Sequence, residues 1–327
     1  MKRKIKFCVY FSLCVVLIML LFGCEGTANN DYQTPELIRA EDERSITIMD
    51  PLGNEVVITK EPKKVVVLMN SLLDLWYLAG GTAVGRVSGT ENVPPEAESI
   101  EILGSVGSPN LEKIIAMQPD LIIMTSTMAA HREIKDVFAQ NKIETLYCEF
   151  YDYQDFFENL DVFTRITGRR DIFETDISQL DDEVKEIVDK TVDERKPKVL
   201  ILFASSKSVT CELPTAQTGN MVDILGGENI VTDTLAEGDV RVNFSLEKIV
   251  ESDPDVILIT TMGDLEECKA RIKEDVSSNQ AWAGIRAVKE GNIHYLPKDL
   301  FMYKPNVRYP EAFAYLANIL YPGVTLD

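Results

Sequence analysis

Asn110-Leu-Glu-Lys-Ile-Ile-Ala-Met-Gln-Pro-Asp-Leu-Ile-Ile-Met-Thr125 is the stretch that decides the fold, because it occurs twice. The second copy is Ser245-Leu-Glu-Lys-Ile-Val-Glu-Ser-Asp-Pro-Asp-Val-Ile-Leu-Ile-Thr260, offset by 135 residues. Each copy predicts a short helix, a Pro-Asp break, and an apolar run. Proline ends the helix because it lacks the N–H and its ring clashes with the preceding turn. An apolar run without alternation suits a strand buried on both faces, as in a parallel sheet covered by helices. The chain therefore predicts two related α/β halves.

Around the first copy, Ile46–Met49 and Glu55–Ile58 flank Asp50-Pro-Leu-Gly-Asn54, a hairpin pattern. Val65–Leu68 predicts the first buried strand, Ser71 a helix N-cap, and Gly80-Gly81 the end of that helix. Strand and helix then alternate through residue 150, which implies right-handed parallel crossovers. From Asp171 to Glu194 there is no proline or glycine, and Ile177, Leu180, Val184, Ile187 and Val188 keep helical spacing. One long charged helix is expected to join the halves. The second half repeats the plan, with Val65 aligned to Leu200. It carries about eleven extra residues in Ala204–Gly219, where an insertion at a strand's carboxyl end builds a binding loop. The expected divisions are 1–23 signal peptide, 24–44 flexible tether, 45–150 N-terminal lobe, 151–197 interlobe segment with its helix, and 198–327 C-terminal lobe. The fold class is α/β, two lobes with mainly parallel central sheets bridged by one long helix.

Lys2, Arg3, Lys4 and Lys6 precede the apolar run Phe7–Phe22 and then Gly23-Cys24, the pattern of an export signal. Leu21-Phe22-Gly23-Cys24 resembles a bacterial lipobox, in which Cys24 is lipidated. An uncleaved anchor is the alternative, and both place the rest outside the cytoplasm, tethered to the cell membrane. Without residues 1–23 the chain holds 29 basic and 53 acidic residues, a net charge of −24. Such a surface repels nucleic acid and anionic lipid. Cys148, Cys211 and Cys268 show neither a disulfide framework nor metal spacing. Free buried thiols are expected, with a Cys211–Cys268 bridge as the alternative.

No nucleophile elbow, P-loop, dinucleotide fingerprint or Cys-x-x-Cys occurs, and the two histidines make no metal cluster. Neither an enzymatic activity nor a resident cofactor is expected. Two facing α/β lobes instead create a cleft beyond the carboxyl ends of their strands.

Residues Ile46–Pro322 resemble the bacterial periplasmic-binding-protein family that serves iron–siderophore, haem and cobalamin ABC importers. The carrying residues are Asp50-Pro-Leu-Gly53, Pro62-Lys-Lys-Val-Val-Val67, both repeats, Leu225-Gly-Gly227 and Pro305-Asn-Val-Arg308, in that order. The resemblance implies a monomeric receptor with a small-molecule metal chelate held between lobes. A ferric siderophore is expected first, haem second and cobalamin third. It also implies docking of Glu112 and Glu247 on permease arginines, although both glutamates equally suit a helix's first turn. Ligand-binding candidates on the exit loops are Met69, Asn70, Thr127, Met128, His131, Ser205, Ser206, Arg241, Met302, Tyr303 and Arg308. An arginine fork fits carboxylate, catecholate or propionate oxygens, and pairing to a lobe carboxylate is the alternative. No metal is expected on the protein itself. His131 or Tyr303 would ligate iron only if the cargo is haem. His294 is expected to be an ordinary strand residue. A ligand-sensing module for a signalling partner and an exported α/β enzyme are the competing functions.

Overall fold

The computed structural model describes residues 37–232, 239–243 and 245–326. The export signal and Cys24 lie outside these residues. From Glu36 onward the chain forms one compact unit. It opens with an antiparallel sheet of β1 (Ile38–Glu41), β2 (Ser45–Met49) and β3 (Glu55–Thr59). The expected tether therefore stops short of 44, because Ile38–Glu41 adds an edge strand to the hairpin. Glu41 is bound there by Lys60 at 2.7 Å and Arg165 at 2.6 Å.

The first large sheet takes β4 (Val65–Val67), β5 (Gly85–Arg86) and β6 (Glu101–Ile102). After the small hairpin β7 (Gly104–Ser105) and β8 (Ser108–Pro109), it adds β9 (Leu121–Thr125) and β10 (Glu144–Cys148). Its order is β10-β9-β4-β5-β6, with every pairing parallel. The second sheet contains β11 (Lys198–Ser205), β12 (Val209–Glu212), β13 (Glu228–Asn229), β14 (Arg241–Val242), β15 (Val256–Met262) and β16 (Ile293–Tyr295). β11, β13, β15 and β16 pair in parallel. The inserted stretch Ala204–Gly219 is not simply a loop: it builds the antiparallel strand β12, which β14 extends.

The central strands of the two large sheets are buried on both faces, which explains their unbroken apolar runs. Val65, Val67, Leu121 and Ile123 join the core that also holds Val199, Ile201, Val256 and Leu258. Val66, Leu68, Ile122 and Met124 face a second core, and Leu200, Leu202, Ile257 and Ile259 a third.

The two copies of the repeat are alike down to their bonds. Asn110 Oδ1 accepts from the Lys113 N–H, and Ser245 Oγ from the Lys248 N–H. Both helices close on a left-handed residue, Gln118 (φ 48°) and Asp253 (φ 46°). The Pro-Asp carboxylates then fasten the neighbouring strand. Asp120 accepts from the Lys63 and Lys64 N–H groups at 2.8 Å, and Asp255 from that of Lys198 at 2.9 Å. One alignment shifts. Val65 pairs with Leu121 and Val199 with Val256, so the first strands are offset by 134 rather than 135. A strand's side chains alternate in facing, so the offset of 135 would turn each of them to the wrong core.

The predicted connecting helix runs over 170–189, interrupted by a wider turn at Phe173–Ile177, and stops before Glu194. Tyr153–Thr167, which the sequence reading did not assign, is a helix with a capping box at Asp152. Ser71 is inside its helix, which starts at Asn70 without a side-chain cap. Gly80 and Gly226 end corresponding helices with φ near +80° (80° and 82°). A Cβ on the next glycine would strike Trp76 or Val222, five residues earlier. Tyr153 meets Phe157, Tyr309 and Phe313 edge-on at centroid separations of 4.9, 4.9 and 5.1 Å. This aromatic cluster joins the Tyr153–Thr167 helix to the last helix, Tyr309–Leu320. Cys148, Cys211 and Cys268 are free and buried, so no Cys211–Cys268 bridge forms.

Asp255 also binds Arg195 and Arg286, whereas Asp120 has only its strand contacts among the described ion pairs. Replacing Asp255 with alanine is expected to lower the unfolding free energy by about 2–3 kcal/mol. The loss for Asp120→Ala should be smaller in urea unfolding; equal losses would mean that the arginines contribute nothing.

Candidate functional site

The carboxyl-end loops of the two sheets meet. Beyond β4, Ser71 and Asp74 receive Asn306: its Nδ2 donates to Asp74 Oδ2 at 2.6 Å and to the Ser71 carbonyl at 3.4 Å. Asn306 takes a left-handed backbone (φ 51°), which Asn tolerates better than most side chains. Beyond β5, Asn92 donates to the Lys304 carbonyl at 2.9 Å. The loop carrying Asn92 is organised by buried Arg86, whose guanidinium donates to the carbonyls of Val87, Gly89, Ala97 and Glu98. Beyond β10, the Tyr151 carbonyl accepts from Lys304 Nζ at 2.8 Å. Gln217 steadies the loop after β16 from below, donating to the carbonyls of Leu300 and Tyr303. Burial raises the Asp74 carboxyl above its ordinary range, against the lowering effect of Asn306 and Asn92.

Cations and aromatic rings converge at this junction. Lys304 Nζ lies over the Phe150 ring, 4.8 Å from its centroid. The Arg241 guanidinium stacks on Phe203 at 3.6 Å and reaches Glu212 at 3.5 Å. Glu212 is 3% exposed and accepts from Thr260 Oγ1 at 2.9 Å. Burial raises its pKa while Arg241 opposes the rise. Burial also pulls the Lys304 ammonium down to about 8.

Most of the other expected site residues lie at or beyond the carboxyl ends of the strands. Met69, Asn70, Thr127, Met128, Met302 and Tyr303 are partly buried on the exit loops of β4, β9 and β16. Asn70 donates to the Ser88 carbonyl and leaves its buried Oδ1 without a partner among the described residues. Ser205 closes the β11–β12 turn, accepting from the Lys207 and Ser208 N–H groups, with Ser206 exposed beside it.

Two expectations change. His131 is fully buried, so it is not an open ligand for iron. Its Nδ1 accepts from the Thr125 N–H at 3.2 Å, and its Nε2 lies 2.9 Å from the Val106 carbonyl. These bonds set Nε2 as the protonated nitrogen, and burial lowers the pKa, so the ring is neutral. Arg308 is held on its own half by Glu311 at 2.7 and 2.8 Å and by Asp299 at 2.8 Å. Both carboxylates raise its pKa, Glu311 the more. His294 lies in β16 as expected, bonded to Asn292.

Lys304, Phe150 and Phe203 were not singled out from sequence, although Lys304 adjoins Met302 and Tyr303. Nothing in the lysine itself signals that it lies over Phe150, a ring that follows a strand remote in sequence. Among the described residues no group of three or more His, Cys, Asp or Glu could hold a metal ion. A groove of about 720 Å³ lined by Arg195, Asp255, His294 and Tyr315 lies at the opposite, amino end of β15 and β16. On the repeat helices, Glu112 and Glu247 are exposed first-turn residues, with no ion pair to either among the described residues.

A family model described as "Periplasmic binding protein" matches residues 65–300. The chain is 25% identical over 328 residues to YvrC of Bacillus subtilis, an uncharacterized ABC transporter substrate-binding lipoprotein, and the match covers 96% of each. Its structure is similar to that of Staphylococcus aureus IsdE complexed with heme, with a TM-score of 0.69 and 21% identity over 79% of this chain and 98% of that one. It is also similar to the petrobactin-binding protein YclQ of Bacillus subtilis, with a TM-score of 0.65 and 21% identity over 87% and 100%. With the family model spanning more than two thirds of its 327 residues, the chain is a member of the periplasmic binding protein family, whose relatives here are substrate-binding proteins of transport and not enzymes.

Proposed function

We propose that this protein is the lipid-anchored receptor of an ABC importer, capturing an iron chelate between its two halves and delivering it to the permease. The observation that carries this reading is the meeting of both sets of strand-tip loops around Arg241 and Lys304, each cation seated on an aromatic ring. Cations beside aromatic faces suit a bulky chelate bearing oxygen anions. A ferric siderophore is favoured, haem comes next and cobalamin third. The sealed His131 supports that order, since no histidine stands ready as an axial ligand. The lobe boundaries near 150 and 197, and the anchor at Cys24, belong to the same proposal. A lipoprotein relative supports the anchor.

The test is a set of visible spectra and thermal scans of residues 37–327 with ferric siderophores, haemin and cobalamin. A ferric siderophore is expected to raise Tm; no response to any of the three would remove this class of cargo. If haemin binds, His131→Ala is expected to leave the Soret position unchanged, and a shift would return iron ligation to His131.

Permease docking is assigned to Glu112 and Glu247, matched acids on the two repeat helices. Charge pairs at such a rim set orientation and association rate. Reversing both to lysine is expected to abolish uptake while chelate affinity stays within twofold. Uptake at the wild-type rate would sink the docking role.

A further inference from the structure

We propose that the Asp74 carboxyl, carrying a proton, and the Asn306 amide form a two-bond pair across the junction, and that this pair positions the loop bearing Met302 and Tyr303 against the first half. The use of that loop for cargo rests on the receptor reading; the pair itself does not. Asn306 opens the turn Asn306–Arg308 just after the loop, and Asp74 lies in the helix Asn70–Leu78 that follows β4. Asn306 is 1% exposed, and its Nδ2 meets Asp74 Oδ2 at 2.6 Å and the Ser71 carbonyl at 3.4 Å. Its Oδ1 is buried and has no hydrogen-bond partner among the described residues. A buried acceptor left unpaired is costly, and so is a left-handed backbone on a residue with a side chain (φ 51°). Two costs on one residue call for a partner that repays them.

The missing group is a donor, and the adjacent carboxyl supplies one once it is protonated. An ionised carboxylate only accepts, whereas a neutral carboxyl has one O–H and keeps acceptor capacity. With the proton, Asp74 accepts from Asn306 Nδ2 through one oxygen and donates to Asn306 Oδ1 through the other. The surroundings favour that neutral form. Burial is the largest influence on Asp74 and raises its pKa; the amides of Asn306 and Asn92 oppose the rise, and no charged side chain contributes. The charged residues nearby are committed elsewhere. Lys304 donates to the Tyr151 carbonyl, and Arg308 to Glu311 and Asp299. On the Tyr153–Thr167 helix, which packs against that of Asp74, Asp155 accepts from the Tyr151 and Asp152 N–H groups and Asp161 pairs with Arg165. Glu91, beside Asn92, is exposed.

The pair sits where the loop passes from one half to the other. The carbonyls of Leu300 and Tyr303 accept from Gln217 of the second half. The Lys304 carbonyl accepts from Asn92 of the first half, and Asn306 reaches Asp74. Met302 and Tyr303 are therefore set by anchors on both sides. The proton gives this anchor a pH dependence of definite sign. The native chain keeps the Asp74 proton to higher pH than the unfolded chain, whose carboxyl follows the ordinary value of about 3.9. Stability from this group is fully present below that value and is lost as pH rises through the native pKa. Asp74→Asn copies the neutral carboxyl, with donor and acceptor side by side, and does not titrate. It is expected to raise Tm near pH 8, with the gain disappearing toward pH 4.5. That measurement also shows that the variant folds.

The deciding experiment is a double-mutant cycle of Asp74→Ala and Asn306→Gly in urea unfolding, run near pH 4.5 and near pH 8. Glycine removes the Asn306 side chain without left-handed strain. Beside it, the carbon-13 shift of the Asp74 carboxyl and the amide nitrogen shift of Tyr303 are followed against pH. The acid–amide pair predicts a coupling between the two positions about tenfold larger, as a factor in the unfolding constant, near pH 4.5 than near pH 8. A simple bond from Asn306 to an ionised carboxylate predicts the reverse, because charge-assisted hydrogen bonds are the stronger ones. Coupling that is equal at the two pH values or larger near pH 8 would overturn the pair, as would an Asp74→Asn variant less stable than wild type near pH 8. A Tyr303 amide that does not titrate together with the Asp74 carboxyl would overturn the positioning of the loop. None of these measurements uses a cargo, so their failure leaves the receptor reading standing, and a protein that binds no chelate leaves the pair standing.

Discussion

The aromatic cluster of Tyr153, Phe156, Phe157, Tyr309 and Phe313 is the constraint on which the rest of the molecule depends. These rings pack edge to face, the geometry their quadrupoles favour, and they are shared between the helix that leaves the first sheet and the last helix of the chain. The Tyr309 hydroxyl reaches back to the Asp152 carbonyl at 3.3 Å, tying the cluster to the cap of that first helix. Because Asp152 follows directly on Phe150 and Tyr151, the packing also locates Tyr151, whose carbonyl receives Lys304. Apolar contact at the base thus determines where polar groups meet at the tips.

Much of this was legible from residue order. The repeated Pro-Asp units announced two halves, and their apolar runs became strands buried on both faces, as such runs require. What stayed illegible depended on partners remote in sequence. His131 looks like a polar residue on a surface turn until the Val106 carbonyl arrives from another loop. Arg308 is a different case: Glu311 and Asp299 are near it in sequence, and only the turn between their helices brings all three side chains together. Ile38–Glu41 carries a tether-like composition, and its pairing with β2 and the contacts of Glu41 with Lys60 and Arg165 give it order. The helix Tyr153–Thr167 was hidden by aromatic residues that face its core on several sides and blur a simple polar stripe.

The charge distribution reconciles an acidic protein with an anionic cargo. Carboxylates dominate the chain as a whole, yet those near the junction are buried (Glu212) or partly buried (Asp74, Asp152, Asp155) and bonded to hydroxyls, amides or Arg241. Asp152, Asp155 and Glu212 offset part of the charge of Lys304, and Glu212 part of that of Arg241, while the aromatic carbon these two cations face neutralises little of it. Local potential, not net charge, governs what enters such a crevice.

The shifted first strand constrains how the halves can be recombined. Val199, not Leu200, occupies the place of Val65 against the central strand. A graft guided by the alignment of the repeats alone would set Leu200 where Val65 stands and rotate the strand's whole side-chain set onto the opposite face. Segments exchanged between the halves must carry the one-residue correction within the linker ahead of the strand, which makes these twin units structurally alike but not interchangeable as cassettes.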